Sequence, residues 1–274
     1  AMAGGRLPRC GAVCSVRDIL VEKEGSEKHE ARAVALLNRY FDAVLVHADP
    51  RLVRLEETFG RIHDVRVPLV YTGFVTPRPE PDARRRRRAQ LGLPAAERFI
   101  VASAGGGSVG APLLEAVLGA FHRLRQQGAA RLQVFTGPFL PPEDYEKLRR
   151  AAGEGARVDR FTADFPSYLA AADLSVSMAG YNTTMNLLAA SVPALVWPFD
   201  QNREQRVRAQ RLEALGALRL LADAELEPAR LAARMEQMLL RSERSDPGVD
   251  LGGAAATASW VDGWRPRSGG GGAP

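Results

Sequence analysis

The chain has 274 residues, of which 46% are hydrophobic and 25% charged, a composition typical of a soluble globular protein with one large or two modest domains. No stretch approaches the ~20 apolar residues of a membrane span, and no N-terminal segment has the order of a signal peptide. The two cysteines, Cys10 and Cys14, exclude a disulfide framework and predict a reducing, cytoplasmic environment, and too few neighbouring ligands accompany them for a zinc site.

The net charge of +5 comes mainly from arginine, because lysine supplies only three of the 37 basic residues. With alanine and glycine abundant, this skew indicates a GC-rich genome. The one basic block, residues 84–88, lacks the interleaved aromatic residues that stack on bases, so we predict no nucleic-acid partner. The block is interpreted as a solvated linker or helix start, with contact to anionic lipid headgroups as the alternative.

Residues 11–76 predict a partial α/β domain. Apolar strands are expected at 12–16, 43–46 and 65–70. A helix with an apolar stripe is expected at 27–40, and a second helix, opened by Asp49-Pro50, at about 49–59. The resulting β-α-β-α-β order is roughly half of a doubly wound domain.

The proline-rich stretch 77–96 predicts a linker. From residue 97 to residue 244 the α/β alternation resumes and predicts a complete Rossmann-like domain. Its strands are expected near 99–103, 132–136, 157–161, 174–178, 194–197 and 218–221, with a last helix at 227–241. Residues 245–274 turn to Ser, Asp, Pro and Gly and predict a largely disordered tail.

The first strand of this domain leads into the glycine loop, residues 105–110, which reads Gly-Gly-Gly-Ser-Val-Gly. A dinucleotide site is disfavoured because the second strand does not end in an acidic residue. A hydrolase elbow at Ser108 is disfavoured because the only later histidine, His122, lies in the next helix. A P-loop would need a lysine after the glycines. Two interpretations stay open: a turn whose amides bind a diphosphate, and a tight turn without a ligand.

A second glycine turn follows the strand at 174–178. Gly180 breaks the apolar pattern, and a helix opens at Asn182 and Thr183. The first amides of such a helix are unpaired and favour an anion. The next strand ends in the polar loop 198–202, at the same end of the sheet.

These pieces resemble the donor half of GT-B glycosyltransferases, in particular the MurG-like, family 28 group. The matching sequences are the glycine loop, the stretch 161–173, residues 179–183, and residues 198–201 followed by Glu204-Gln205. The chain resembles especially the bacterial predicted glycosyltransferases with a Gly-Tyr-Asn-Thr motif, here residues 180–183, and residues 15–20 and 71–75 are similar to the same group. Measured against that family, the first domain lacks its start.

The resemblance implies fold class α/β, GT-B-like, with a complete C-terminal and a partial N-terminal Rossmann-like domain. It implies a glycosyltransferase that uses a nucleoside-diphosphate sugar, UDP-linked, and an unknown acceptor, with inversion. No cofactor is expected, and no metal, because the chain has no Asp-x-Asp sequence. The implied donor contacts are Gly106, Gly107, Ser108, Gly180, Asn182 and Thr183 for the phosphates, the Phe161 backbone for the base, Asn186 in place of the family's Glu for the ribose, and Asp200, Gln201, Glu204 and Gln205 for the sugar.

In the family the catalytic base comes from the part of the N-terminal domain that has no counterpart here. The base is therefore unassigned, with Asp18 as the candidate and a structural ion pair as the alternative. Two other functions stay open: hydrolysis of a nucleotide sugar, and binding without catalysis by a subunit whose partner supplies the missing part. We expect a cytoplasmic protein, with a peripheral contact to the inner membrane as a further hypothesis.

Overall fold

The computed structural model describes residues 10–19, 26–199, 203–241, 244 and 246–264. The chain divides into two compact units. The first unit combines the chain up to Val75 with the segment that begins at Asp250, and the second runs from Thr76 to Val249. Each unit contains its own parallel sheet.

The first unit is built on a three-stranded parallel sheet in the order β1-β2-β3. Its elements are β1 (Val13–Arg17), α1 (Ser26–Tyr40), β2 (Ala43–His47) and β3 (Leu69–Tyr71). The central strand β2 has four successive buried residues, as a parallel strand covered on both faces requires. The predicted strands and the helix at 27–40 are confirmed, although the third strand is shorter than predicted.

The helix predicted at 49–59 is wrong. After one turn at Asp49 the chain forms two short 3₁₀ helices, Leu55–Glu57 and Ile62–Asp64. The Asp49 carboxylate is buried, and it accepts hydrogen bonds from Arg51 and from the backbone N–H of Asp250, 201 positions later in the chain. A helix signal that depends on Asp49 is therefore overridden by a tertiary contact that no local pattern shows.

The second unit contains a six-stranded parallel sheet in the order β6-β5-β4-β7-β8-β9. Its elements are α2 (Ala83–Gln90), β4 (Arg98–Ser103), α3 (Ala111–Arg125), β5 (Ala130–Phe135), α4 (Pro142–Ala151), β6 (Ala156–Asp159), α5 (Phe165–Ala171), β7 (Leu174–Met178), α6 (Tyr181–Ala190), β8 (Ala194–Trp197), α7 (Arg203–Ala214), β9 (Arg219–Leu220) and α8 (Pro228–Arg241). All six predicted strands and the last predicted helix are confirmed. The prediction of a Rossmann-like C-terminal domain is confirmed with them.

Both faces of this sheet are covered. On one face, alternate strand residues such as Ile100 and Val134 join a core with the buried sides of α3 and α8. On the other face, the Phe135 ring lies 5.0 Å from the Tyr168 ring and 5.7 Å from the Phe165 ring, both on α5. Strands buried on both faces need long apolar runs, which is why the sequence predicts them well.

The linker prediction is wrong for residues 83–90, which form α2. Arg84 and Arg88, one helical turn apart, donate hydrogen bonds to Asp173 and to backbone carbonyls of residues 170–172, where α5 ends. Arg244 donates to two of the same carbonyls. The last carbonyls of a helix have no partner within the helix, and cations near them are stabilising. Two of the five arginines of the block, Arg84 and Arg88, thus clamp the end of α5 instead of being fully solvated.

The same clamp perturbs an acid. Burial alone would raise the pKa of Asp173. The hydrogen bonds from Arg84 and from the Phe99 N–H, with the charges of Arg84 and Arg88, outweigh burial and lower that pKa below the ordinary aspartate value.

The prediction of a largely disordered tail is wrong for residues 246–264. The Asp250 carbonyl accepts the Phe74 N–H at 2.8 Å, and the Gly253 N–H donates to the Phe74 carbonyl at 3.0 Å. Helix α9 (Gly253–Gly263) follows, in a stretch rich in alanine, the strongest helix former. The Ser, Asp, Pro and Gly content of the whole tail concealed the helix propensity of this alanine-rich stretch. Within the described residues, no helix combines the length and the apolar character needed to cross a membrane.

Candidate functional site

The strand order of the second unit reverses between β4 and β7. From β4 the chain moves outward through β5 and β6, and it then returns to the other side of β4 as β7. Ser103, the last residue of β4, is in register with Ser177 of β7. In open α/β sheets, ligands bind outside the carboxyl ends of the strands at such a reversal. The loops that follow β4 and β7 therefore form the candidate site.

The glycine loop after β4 needs its glycines for two different reasons. Gly105 and Gly107 have φ of 63° and 93°, in the region that side chains disfavour. A side chain on Gly107 would also collide with the Thr136 backbone oxygen in the loop after β5. Gly106 and Ser108 are exposed, and the loop reaches its shape through a hydrogen bond from the Gly105 N–H to the Ser103 hydroxyl. The predicted phosphate residues 106–108 thus lie on a tightly constrained turn at the strand reversal.

The Gly180 turn meets the glycine loop at Thr183. Helix α6 begins at Tyr181, and its N-cap residue is Gly180, which has no side chain. The buried Thr183 Oγ1 lies within 4.0 Å of the positions that a Cβ would take at Gly105 and at Gly180. Asn182 is exposed at the same end of the helix. The two predicted glycine turns are therefore neighbours, with helix amides between them that favour an anion.

Asn186 lies one turn beyond Asn182 on α6 and is half-buried. Its Oδ1 accepts a hydrogen bond from the Thr76 hydroxyl at 2.9 Å. The Asn186 amide thus stands where the family has a Glu carboxylate, and its Oδ1 atom is already hydrogen-bonded to Thr76. This hydrogen bond fixes the side chain at the position where the resemblance expects a ribose contact.

At the start of α7, Gln205 and Glu204 face different partners. The Gln205 Oε1 accepts the Phe199 N–H at 3.4 Å, which ties α7 to the loop after β8. The Glu204 carboxylate lies 3.9 Å from the guanidinium of Arg208. The predicted sugar contacts Asp200 and Gln201 lie outside the described residues.

Arg208 is a site residue that the sequence analysis did not single out. Its side chain is only 1% exposed, although it is a full positive charge. It donates to the carbonyl of Ala179 at 3.4 Å, and its guanidinium carbon lies 5.3 Å from the centre of the Tyr181 ring. Arg208 thus contacts both Ala179 and Tyr181, the residues on either side of Gly180 in the turn between β7 and α6. Its spacing of four residues from Glu204 and from the buried Leu212 was the available signal.

The other end of the candidate site lies beyond β5 and β6. Phe161, which follows β6, has its side chain 70% exposed. The preceding Arg160 turns away, since its guanidinium carbon lies 4.2 Å from the centre of the Tyr145 ring and Nη1 donates to the Leu140 carbonyl. The segment expected to read a base is therefore exposed and apolar at Phe161.

The first unit has polar residues at the carboxyl ends of its own strands. Asp18, the candidate base, is fully buried, and its Oδ1 accepts the Ile19 N–H at 2.9 Å, which favours a structural role. His47 lies between two hydroxyls, 2.6 Å from Ser15 Oγ and 2.9 Å from Thr72 Oγ1. Burial lowers the pKa of His47, so the neutral ring is favoured at neutral pH.

Within the described ranges, no three side chains of His, Cys, Asp or Glu are grouped to hold an ion. The cationic side chain described next to the second turn is Arg208, which donates to the Ala179 carbonyl, and the N-terminal amides of α6 follow that turn.

The second unit is a doubly wound domain with a glycine turn after each of the two strands at the reversal, which is the architecture of one half of a GT-B protein. Among solved structures, MurG of Acinetobacter baumannii superposes with a TM-score of 0.57 at 14% identity, over 87% of this chain and 77% of that chain. At this identity the similarity shows the fold alone, which is of the GT-B type.

The sequence comparison identifies the family. The family model described as "Glycosyltransferase family 28 C-terminal domain" matches residues 102–248, just over half of the chain. The chain therefore belongs to glycosyltransferase family 28. One relative is the UDP-N-acetylglucosamine--N-acetylmuramyl-(pentapeptide) pyrophosphoryl-undecaprenol N-acetylglucosamine transferase of Paramagnetospirillum magneticum, 33% identical over 50% of this chain and 38% of its own length. The protein of the same name from Methylobacterium radiotolerans is 30% identical over 61% of this chain. The chain spans about half or less of the length of these relatives.

Proposed function

We propose that this protein binds a UDP-sugar at the carboxyl ends of the strands of the six-stranded sheet and transfers the sugar to an acceptor. The observation that carries the proposal is the meeting of the two glycine turns at Thr183 Oγ1, between the two strands where the sheet order reverses. One such turn would be an ordinary feature of a β-α connection. Two turns that share a threonine, with a helix N-terminus at the second turn, indicate a site for a diphosphate.

In this proposal each donor contact has a physical role. The amides near Gly106, Gly107 and Ser108, and those at Asn182 and Thr183, hold the two phosphates. Asn186 hydrogen-bonds the ribose as a neutral partner, with its orientation set by Thr76. Glu204 and Gln205, together with Asp200 and Gln201, bind hydroxyls of the sugar.

Transfer requires stabilisation of the departing diphosphate. As the bond between the sugar and the phosphate oxygen breaks, negative charge develops on the UDP. Oriented helix amides aimed at that charge act as fixed donors that need no reorganisation. We propose that they perform this task without a metal, and that the acceptor oxygen attacks the opposite face of the sugar, which inverts the configuration. The base that takes the acceptor proton is unassigned.

The first test is thermal unfolding with UDP, GDP and dTDP, each at millimolar concentration and in the presence of a chelator. A ligand at ~100 times its dissociation constant stabilises the folded state by ~2.7 kcal/mol. For a unit of this size, that corresponds to a rise in the melting temperature of roughly 5–11 °C. We expect the rise with UDP. No rise with any of the three nucleotides would contradict the proposed site.

One observation favours binding without catalysis as a second candidate. Asp18, the acidic candidate of the first unit, is fully buried. The two functions are separated by incubation with UDP-N-acetylglucosamine, the donor in the relatives' name, with and without acceptor lipid extracts. Turnover by this chain alone would exclude the binding-only function, and release of free sugar without acceptor would indicate a hydrolase.

A further inference from the structure

Two aromatic side chains are strongly exposed at the carboxyl ends of the strands of the six-stranded sheet. Phe139, after β5, is 74% exposed, and Phe161, after β6, is 70% exposed. Both rings lie in loops that follow strands of the candidate site, where an aromatic face is available to a ligand. The resemblance to known families accounts for the segment at Phe161, but it assigns nothing to Phe139.

The loop that carries Phe139 is held firmly on both sides. The Phe139 N–H donates to the Gly106 carbonyl in the glycine loop at 3.0 Å. The Gly137 N–H donates to the Arg160 carbonyl at 2.9 Å, and Arg160 in turn donates to the Leu140 carbonyl at 2.9 Å. The ring is therefore presented by a loop that is hydrogen-bonded to the phosphate end of the site on one side and to the Phe161 segment on the other.

The strand order determines what must pass over this ring. β5 lies between β4, which leads to the glycine loop, and β6, which leads to Phe161. Neighbouring strands lie ~4.8 Å apart, so the ends of β4 and β6 are roughly 10 Å apart. A ligand with its phosphates at the glycine loop and its base near Phe161 has to cross the end of β5. The Phe139 Cδ2 atom is also within 3.7 Å of the position of a Cβ at Gly106, so the ring borders the phosphate-binding turn itself.

We propose that the ring of Phe139 is a stacking contact for the base of the bound nucleoside diphosphate, next to the contact at Phe161. This inference rests on the proposed function and assigns a base-binding role to a residue of the β5 loop. A phenyl ring contacts any base through its face and reads no hydrogen-bond pattern. Phe139 should therefore contribute affinity for the nucleoside, while the choice between bases is left to other groups.

The test is isothermal titration of the full chain and its variants with two probes, UDP and inorganic pyrophosphate. The Phe139→Ala variant should bind UDP roughly 5-fold to 150-fold more weakly, the range for one base-stacking contact, and should bind pyrophosphate unchanged. The Phe139→Trp variant, which keeps an aromatic face, should retain UDP binding. The matched control is Leu240→Ala on α8, because Leu240 is 76% exposed and lies away from the proposed site. Its neighbour Arg241 lies beside residues 192–194, at the start of β8 and therefore at the opposite end of the strands.

The outcomes are distinguishable. If the unaltered protein binds UDP and Phe139→Ala binds it equally well, this inference fails and the proposed function stands. An equal loss of UDP and pyrophosphate binding in Phe139→Ala would mean that the residue only shapes the loop, which also overturns the inference. Unchanged UDP affinity with weaker binding to anionic phospholipid vesicles would assign the ring to a membrane contact instead. If the unaltered protein binds neither UDP, GDP nor dTDP, the proposed function fails and the inference fails with it.

Discussion

Gly180 and Gly107 make opposite predictions for the same substitution. Gly180 has φ of −61°, which any residue adopts, and among the described residues a Cβ there would meet nothing nearer than Thr183 Oγ1 at 4.0 Å. The Gly180→Val variant should therefore fold, with a loss of no more than ~1 kcal/mol for a poorer helix N-cap. Its side chain would cover the first amides of α6, so a phosphate would lose its hydrogen bonds there.

The size of that loss follows from the charge of the ligand. One hydrogen bond to a charged group contributes ~1.5–3 kcal/mol, which corresponds to UDP binding that is roughly 10-fold to 150-fold weaker. Gly107→Val should behave differently, because φ of 93° and the nearby Thr136 oxygen both oppose a side chain. We expect at least ~2 kcal/mol of destabilisation, seen as a fall in the melting temperature of at least ~4–8 °C.

Melting curves without ligand and titrations with UDP separate the two effects. Gly180→Val should lose affinity with an almost unchanged melting temperature, and Gly107→Val should lose stability first. If Gly180→Val bound UDP like the unaltered protein, the assignment of the α6 amides to a phosphate would be refuted. If Gly107→Val melted like the unaltered protein, the steric reasoning about the glycine loop would be wrong.

Three further outcomes test the fold. Arg88→Ala should destabilise the second unit by ~2 kcal/mol in urea denaturation, because it removes charged hydrogen bonds to Asp173 and to the end of α5, whereas Arg85→Ala, whose side chain is 80% exposed, should change stability by less than ~0.5 kcal/mol. The lowered pKa of Asp173 means that its stabilisation is present above the unfolded value of ~3.9 and is lost as the pH falls through the folded value, so Asp173→Asn should show a shallower loss of stability between roughly pH 5 and pH 2. A chain that ends at Val249 should lose hydrogen-exchange protection at the Phe74 amide while the second unit melts as before.

The second unit was largely predictable because its signals are local. Strands buried on both faces are continuous apolar runs, and the turns at Gly107 and Gly180 interrupt them at fixed points. A doubly wound domain reverses its strand order once, and the reversal here places β4 beside β7 and brings the two turns together at Thr183. The candidate phosphate site was therefore present in the pattern before the structure was known.

The contacts that the sequence did not reveal join residues far apart in the chain. Arg208 reads as an exposed helical arginine until the Ala179 carbonyl is placed beside it. Arg84 and Arg88 read as a basic surface until α5 ends in front of them. The helix expected at Asp49 gives way because Asp250 binds the same carboxylate. In each case the structural role of a polar side chain depends on a partner distant in the sequence, which the hydrophobic periodicity of the chain cannot identify.

The return of the chain to the first unit affects the order of events during synthesis. In most multidomain proteins the N-terminal domain is finished first as the chain leaves the ribosome. Here the Phe74 N–H and carbonyl pair with residues 250 and 253, so the first unit cannot be completed until the whole second unit has been translated. The three-stranded sheet therefore lacks its partners at Phe74 while the second unit is being synthesised, and a chaperone that shields the sheet would act before residues 250–264 are translated.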